Sequence, residues 1–260
     1  MGNRLQGKRV MVTGASSGIG EATARAFLAE GAEVVITSEC EAELLKVAED
    51  MQKKGGKVTP IIVNFTQPEQ VADLWARAEK MAGNIDILVN NAGVGLGSRI
   101  HEITEKKLRF VFEVNFFALF SLCQQAFIAM SERGYGRIIN VSSSAARIGL
   151  EGVAAYTASK GACHTLTAAL RLEAHPKGIG VSEVLPVSVR TPFFENVEGH
   201  KYEPKGVVQT PEQVAHSIVR CAKARRPPAE VLPYRPVRLA FIADAILPGI
   251  LDRLLRGKTH

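Results

Sequence analysis

Residues 9–27 read RVMVTGASSGIGEATARAF, and this stretch decides the fold. Arg9 to Thr13 is a short apolar run rich in β-branched residues. Gly14, Gly18 and Gly20 punctuate the turn after it, and from Ile19 onward apolar residues recur at helical spacing. A strand, a glycine turn and a helix in that order suit a phosphate. Backbone amides without side chains in the way can approach a pyrophosphate, and the amino end of a helix favours negative charge. The spacing is G-x-x-x-G-x-G, not G-x-G-x-x-G, and Glu21 and Ala22 after the last glycine exclude a P-loop. The competing reading is a glycine turn that serves packing alone.

Outward from this unit, strand-like runs recur at RVMVTG (9–14), EVVIT (33–37), KVTPIIVN (57–64), IDILVNN (85–91), GRIINVSS (136–143), VSEVLP (181–186) and AEVLP (229–233). Helical periodicity fills 19–29, 41–54, 68–81, 104–131, 154–174 and 211–224. Gly31, Gly55, Gly83 and Gly178 act as stop signals, and Thr210 before Pro211 and Glu212 acts as a start. This alternation, with several strands apolar on both faces, predicts an α/β fold. The expected form is a Rossmann-type doubly wound parallel sheet of about seven strands flanked by helices, as one domain over residues 1–260. Residues 187–210 break the rhythm with Pro192, Gly199, Pro204 and Gly206. Ligands bind beyond the carboxyl ends of strands in such sheets, so this insertion is expected to be a substrate lid.

The chain has 260 residues, 46% hydrophobic and 22% charged, enough to bury a substantial core. A net charge of +6 and a pI near 9.2 raise the question of nucleic acid. The basic residues lie beside acidic ones in helical stretches, with no aromatic-basic interleaving, so no nucleic-acid partner is expected. Cys40, Cys123, Cys163 and Cys221 form no C-x-x-C pair and have no histidine at ligand spacing. No metal is therefore expected, and a reducing, cytoplasmic setting is. MGNRLQGKRVMVTG is too short and polar for a secretory leader, and Gln6 stands where a myristoylation motif needs Ser or Thr.

The turn resembles the T-G-x-x-x-G-x-G cofactor loop of the short-chain dehydrogenase/reductase family. The resemblance continues in order through Asn90, Asn91, Ala92 and Gly93, then Asn115, Ser143, and Tyr156 with Lys160, covering residues 7 to about 192. It implies an NAD(P)-dependent oxidoreductase that interconverts a carbonyl and a secondary alcohol. It also implies a dinucleotide held by Gly14, Ser16, Ser17, Gly18, Ile19 and Gly20 of the turn, and by Ser38 and Glu39 after the second strand. Asn64 and Phe65 follow the third strand in that set and Asn91, Ala92 and Gly93 the fourth. Tyr156, Lys160, Pro186, Val189 and Thr191 complete it.

YTASK places Tyr156 and Lys160 four residues apart, on one helix face and separated by roughly 6 Å of rise. A free tyrosine titrates near ~10, so one that exchanges protons at neutral pH needs a positive charge beside it. The Lys160 ammonium supplies that charge. Taken alone, such a pair is as often a solvated face. The resemblance makes Tyr156 the proton donor and acceptor, has Ser143 hydrogen-bond the substrate oxygen, and has Asn115 hold a water beside Lys160. Asn115 lies in the apolar run FEVNFFALF, and its alternative reading is a helix kink satisfied by its own amide.

Two departures stand out. The cofactor-selecting end of the second strand reads Thr37, Ser38, Glu39, Cys40. The Glu39 carboxylate would repel a 2′-phosphate, which favours NAD, while the neutral Ser38 is compatible with NADP. Where relatives carry Pro-Gly, this chain has Pro186-Val187, which puts a side chain close to the nicotinamide position.

Ser143, Ser144, Leu150, Val153, Tyr156 and Phe193, bordered by Val94, Leu96 and Phe194, would surround the substrate. An apolar carbonyl or alcohol therefore fits better than a small acid; Arg147 nearby reads as a solvated loop residue. The tail, residues 234–260, combines arginines with the apolar run RLAFIADAILPGILDRLL, which Asp244, Pro248 and Asp252 make unable to span a bilayer. It suits peripheral contact with an anionic membrane, or closure over the pocket or a subunit interface. Apolar faces on 104–131 and 154–174 predict a homodimer or homotetramer. The alternative to an enzyme is a dinucleotide-binding sensor or scaffold with the same fold.

Overall fold

The computed structural model describes residues 5–194, 198–199, 207–247 and 249. Its centre is a seven-stranded parallel sheet. In chain order the strands are β1 (Arg9–Thr13), β2 (Glu33–Ser38), β3 (Val58–Ile62), β4 (Ile87–Asn90), β6 (Gly136–Val141), β7 (Ile179–Val184) and β9 (Glu230–Val231). They lie side by side as β3-β2-β1-β4-β6-β7-β9. The order reverses between β1 and β4, and that reversal opens the crevice in which such sheets bind ligands.

Strand alternation sends each side chain to one of two cores. Val10, Val12, Val34, Ile36, Ile87 and Val89 face a layer containing α1 (Gly18–Ala29), α2 (Glu41–Lys53) and α8 (Pro211–Lys223). Met11, Val35, Leu88 and Ile138 face the other layer, built from α3 (Pro68–Ala72), α4 (Leu74–Ala82), α6 (Ala118–Arg133) and α7 (Ala154–Ala174). Both faces of the sheet are covered, which is why its strands read as continuous apolar runs. The stop signals hold: Gly31, Gly55, Gly83 and Gly178 all have positive φ. Thr210 caps α8 in a reciprocal box with Gln213.

The two long helices expected at 68–81 and 104–131 are both interrupted. Gln125 of α6 accepts from Trp75 N at 3.3 Å and donates to Val71 O at 3.0 Å. These are the two groups that would bond each other in a continuous helix, so Gln125 splits the segment at Asp73. The second segment runs as α5 (Glu105–Phe112), a π turn (Glu113–Phe117) and α6. Glu105–Arg133 is also long and apolar enough to cross a membrane, but Val111, Val114, Leu122, Ala126 and Met130 bury its inner face in the fold.

Strand boundaries differ at the far edge: β7 begins at Ile179, and β9 keeps two residues of the expected five. A second, two-stranded sheet pairs β5 (Leu96–Gly97) with β8 (Glu198–Gly199). It ties the chain after β4 to the 187–210 insertion. The insertion also closes on itself, since Arg190 N donates to Gln209 O and Gln209 N to Ser188 O. The rest of it, 195–197 and 200–206, lies outside the described residues, as does the tail beyond 249 with Arg253 and Arg256. The described part of the tail contains α9 (Val237–Ile246).

Candidate active site

The glycine turn is held by β1 and by the segment after β4. Thr13 Oγ1 accepts from the backbone N–H groups of Asn91 and Ala92, both at 2.9 Å. Asn91 Nδ2 donates back to Thr13 O and Gly14 O at 2.9 and 3.1 Å. A Cβ on Gly14 would stand 2.8 Å from Ala92 Cα, and one on Gly18 2.9 Å from Thr191 Cγ2. On Gly20 it would stand 2.1 Å from Gly14 O. No flexible side chain can yield at Gly14 or Gly20, so each glycine there is sterically required. This cradle, open at the start of α1, fits a dinucleotide pyrophosphate.

Ser16, Ser17, Gly18 and Ile19 line the crevice, together with Ser38, Glu39, Phe65, Asn91, Ala92, Gly93, Pro186, Val189 and Thr191. Gly20 lies beneath the loop and Asn64 outside the lining set. The Asn64 carbonyl oxygen accepts from both N and Oγ1 of Thr66, at 2.9 and 2.7 Å, in a local turn. The Ser38 hydroxyl shares a 2.9 Å hydrogen bond with Ser16 and accepts from Cys40 N.

Lys160, 4% exposed, sits in α7 with its ammonium 5.8 Å from the centre of the Tyr156 ring. One of its three N–H groups goes to Val141 O at 3.3 Å. Gly93 fits between two polar groups: a Cβ there would lie 3.1 Å from Asn115 Oδ1 and 3.4 Å from Lys160 Nζ. Ser143 Oγ accepts from Ala145 N at 3.1 Å, which starts the short turn Ser144–Ala146 and leaves the hydroxyl proton free to be donated. Phe193 packs 5.8 Å from Tyr156, ring centre to ring centre. Ser143, Ser144, Leu150 and Val153 lie on the same crevice.

Asn115 is fully buried in the π turn and does not line the crevice. Its Oδ1 accepts from Val94 N at 2.8 Å, and its Nδ2 donates to Val94 O and Ser159 Oγ, both at 3.0 Å. These bonds tie the π turn to the segment after β4 and to α7.

Sequence reasoning missed a buried amide pair. Asn90 Nδ2 donates to Asn140 Oδ1, and Asn140 Nδ2 donates to Thr167 Oγ1. Asn90 and Asn140 are register partners on β4 and β6, a proximity invisible to sequence spacing. The same is true of His164, Glu183 and Glu230, whose ligand atoms lie within 4.8 Å of one another. His164 Nδ1 meets Glu183 Oε2 at 2.6 Å, and Arg147 Nη1 meets both Glu230 oxygens, so these two pairings account for the cluster. Arg147, expected to be solvated, also stacks on Phe241. Burial raises the Glu183 carboxyl above its ordinary range, against the opposing pull of His164. Burial also raises the thiols of Cys163 and Cys221, and that of Cys123 to about 12, which leaves all three poor nucleophiles.

The family model for short chain dehydrogenases matches residues 8–201. Ketoacyl reductase HetN of Nostoc is 30% identical over 258 residues, spanning 97% of this chain and 89% of that protein. Cyclohexanol dehydrogenase of Acinetobacter is 32% identical over 222 residues, 84% of this chain and 88% of that protein. Among solved structures, a metagenomic short-chain oxidoreductase in complex with NADP superposes with a TM-score of 0.77 at 30% identity, covering 88% of this chain and 97% of that one. A Burkholderia phymatum short-chain dehydrogenase/reductase in complex with NAD shares the fold, with a TM-score of 0.85 at 23% identity over 94% of this chain and 96% of that one.

Proposed function

The chain belongs to the short chain dehydrogenase family, whose members use NAD(P) and act on CH–OH groups, and from that premise we propose that Tyr156 is its acid/base and its substrate an apolar ketone or secondary alcohol. The observation that carries the reading is the buried Lys160 ammonium beside Tyr156, in the same crevice as Ser143 and the glycine cradle. The bound dinucleotide supplies or accepts the hydride at the carbon centre.

The chain's own residues handle the oxygen. In reduction Ser143 donates a hydrogen bond to the carbonyl oxygen, and Tyr156 transfers its proton there as the C–H bond forms. In oxidation Tyr156 takes the hydroxyl proton. The Lys160 charge stabilises the phenolate that remains after reduction. Asn115 holds Val94, and with it the wall next to Gly93 and Lys160; a water carried at this point would continue the proton path.

The substrate wall is apolar, formed by Val94, Leu96, Leu150, Val153, Val187 and Phe193. Among the described residues lining the crevice, Lys160 and Glu39 are the charged ones; Lys160 is buried beside Tyr156, and no arginine is there to grip a substrate carboxylate. The names of the ketoacyl and cyclohexanol relatives agree with a carbonyl or hydroxyl on a hydrocarbon frame.

Absorbance of the reduced nicotinamide, followed over a panel of ketones and secondary alcohols, tests the reading. Tyr156→Phe should lower turnover by roughly 10²–10⁴-fold while cofactor binding persists. Wild-type turnover in that variant would remove Tyr156 from the chemistry.

A further inference from the structure

Helix α9 has two unlike faces. Its inner face is clamped to the wall of the active site. Phe241 is buried under the Arg147 guanidinium at 4.8 Å, and Arg147 Nη1 reaches both oxygens of Glu230 at 3.1 and 3.2 Å. Arg147 stands on the loop that carries Ser143 and Ser144 at one end and Leu150 at the other. The outer face is exposed. Leu239 and Ile246 are 71% and 69% exposed, and Ile242 and Leu247 are exposed beside them. Leu239, Ile242 and Ile246, spaced by three and four residues, make a single apolar stripe, and Leu247 follows at the end of the helix.

The charge around the stripe is mostly positive. Arg235 and Arg238 are exposed at its amino end, and Arg225 and Arg226 are exposed on the approach. Against them, residues 224–247 hold two acids: Glu230, already engaged by Arg147, and Asp244. An apolar stripe beside uncompensated arginines is the pattern of a helix that lies in a bilayer interface, where arginine selects anionic headgroups. A two-fold contact through the same stripe would place like charges at the interface, which disfavours a second copy.

We propose that α9 is an interfacial anchor that holds the substrate side of the enzyme against an anionic lipid surface. The docking surface does not depend on the substrate assignment, because vesicle binding and turnover are scored separately.

The test is co-sedimentation of the full chain with vesicles of phosphatidylcholine, with and without phosphatidylglycerol, at low and high salt. Binding is expected to need phosphatidylglycerol and to weaken with salt. Arg235→Gln and Arg238→Gln should each lower partitioning about fivefold. Leu239→Asp with Ile246→Asp should lower it more than about tenfold, with catalytic turnover on a soluble substrate unchanged. An active wild-type chain that ignores anionic vesicles overturns the proposal, as does vesicle binding that these variants do not alter. If Leu239→Asp instead changes the molecular mass in solution, α9 is a subunit interface and the lipid assignment fails.

Discussion

Glu39 and Ser38 occupy the point where the end of β2 meets the crevice. The Ser38 hydroxyl is engaged by Ser16 and by the backbone of Cys40, so Glu39 is the group left to discriminate between ribose substituents. A carboxylate there accepts from a ribose diol and repels a 2′-phosphate, and NADH should be preferred over NADPH. Glu39→Arg is expected to shift the ratio of kcat/KM values toward NADPH by at least about tenfold, which is ~1.4 kcal/mol. Paired kinetics with the two cofactors check this, and a wild-type preference for NADPH would place the discriminating contact elsewhere. Residue identities at the cradle were legible because a glycine turn between a strand and a helix carries its own steric reason. The turn in which Thr66 donates to Asn64 was not legible, because side-chain bonding within a loop leaves no periodic signal.

At the scale of elements, apolar periodicity located every strand of the main sheet, and the glycines located the helix ends. The two breaks in long helices were beyond it. Helical periodicity reports which face is apolar, not whether a side chain from elsewhere takes a backbone partner, and Gln125 acts on a segment fifty residues away. Asn115 differs in kind, because an amide inside FEVNFFALF was a visible anomaly with two physical explanations. The structure uses it to pin Val94 to the π turn. Asn115→Leu should strand the N–H and C=O of Val94 and cost about 2 kcal/mol of stability, discounted for the partial exposure of that backbone. Denaturant unfolding measures this. An unchanged midpoint would mean that the π turn stands on its backbone alone.

Whole-molecule properties rest on charge and surface that no single motif encodes. Glu183 on β7 is buried with His164 as its partner, near Glu230 and Arg147. Its carboxyl is raised by burial, so the folded state holds a proton that the unfolded chain releases near the ordinary carboxylate value. The stability this contributes is complete below that value and is lost as pH rises through the raised one. Glu183→Gln keeps the shape and removes the titration, so its unfolding midpoint should gain on wild type as pH rises above the ordinary carboxylate value and through the raised one. Parallel curves would show that Glu183 is ionised throughout. The other large feature is the outer side of α5 and α6. Leu108, Phe110, Phe117, Phe120 and Ile128 are all exposed there, and Phe116 meets Phe117 and Phe120 at 5.5 and 6.3 Å between ring centres. A surface of clustered aromatic rings is costly to leave in water and is suited to a self-complementary contact, so the chain should associate as a dimer or tetramer through it. Phe117→Glu with Phe120→Glu would place like charges opposite one another across a two-fold axis. The mass measured by light scattering should then fall to that of a monomer, while far-ultraviolet circular dichroism stays unchanged. A mass that does not move would assign the association to another face, because α6 is the centre of this one.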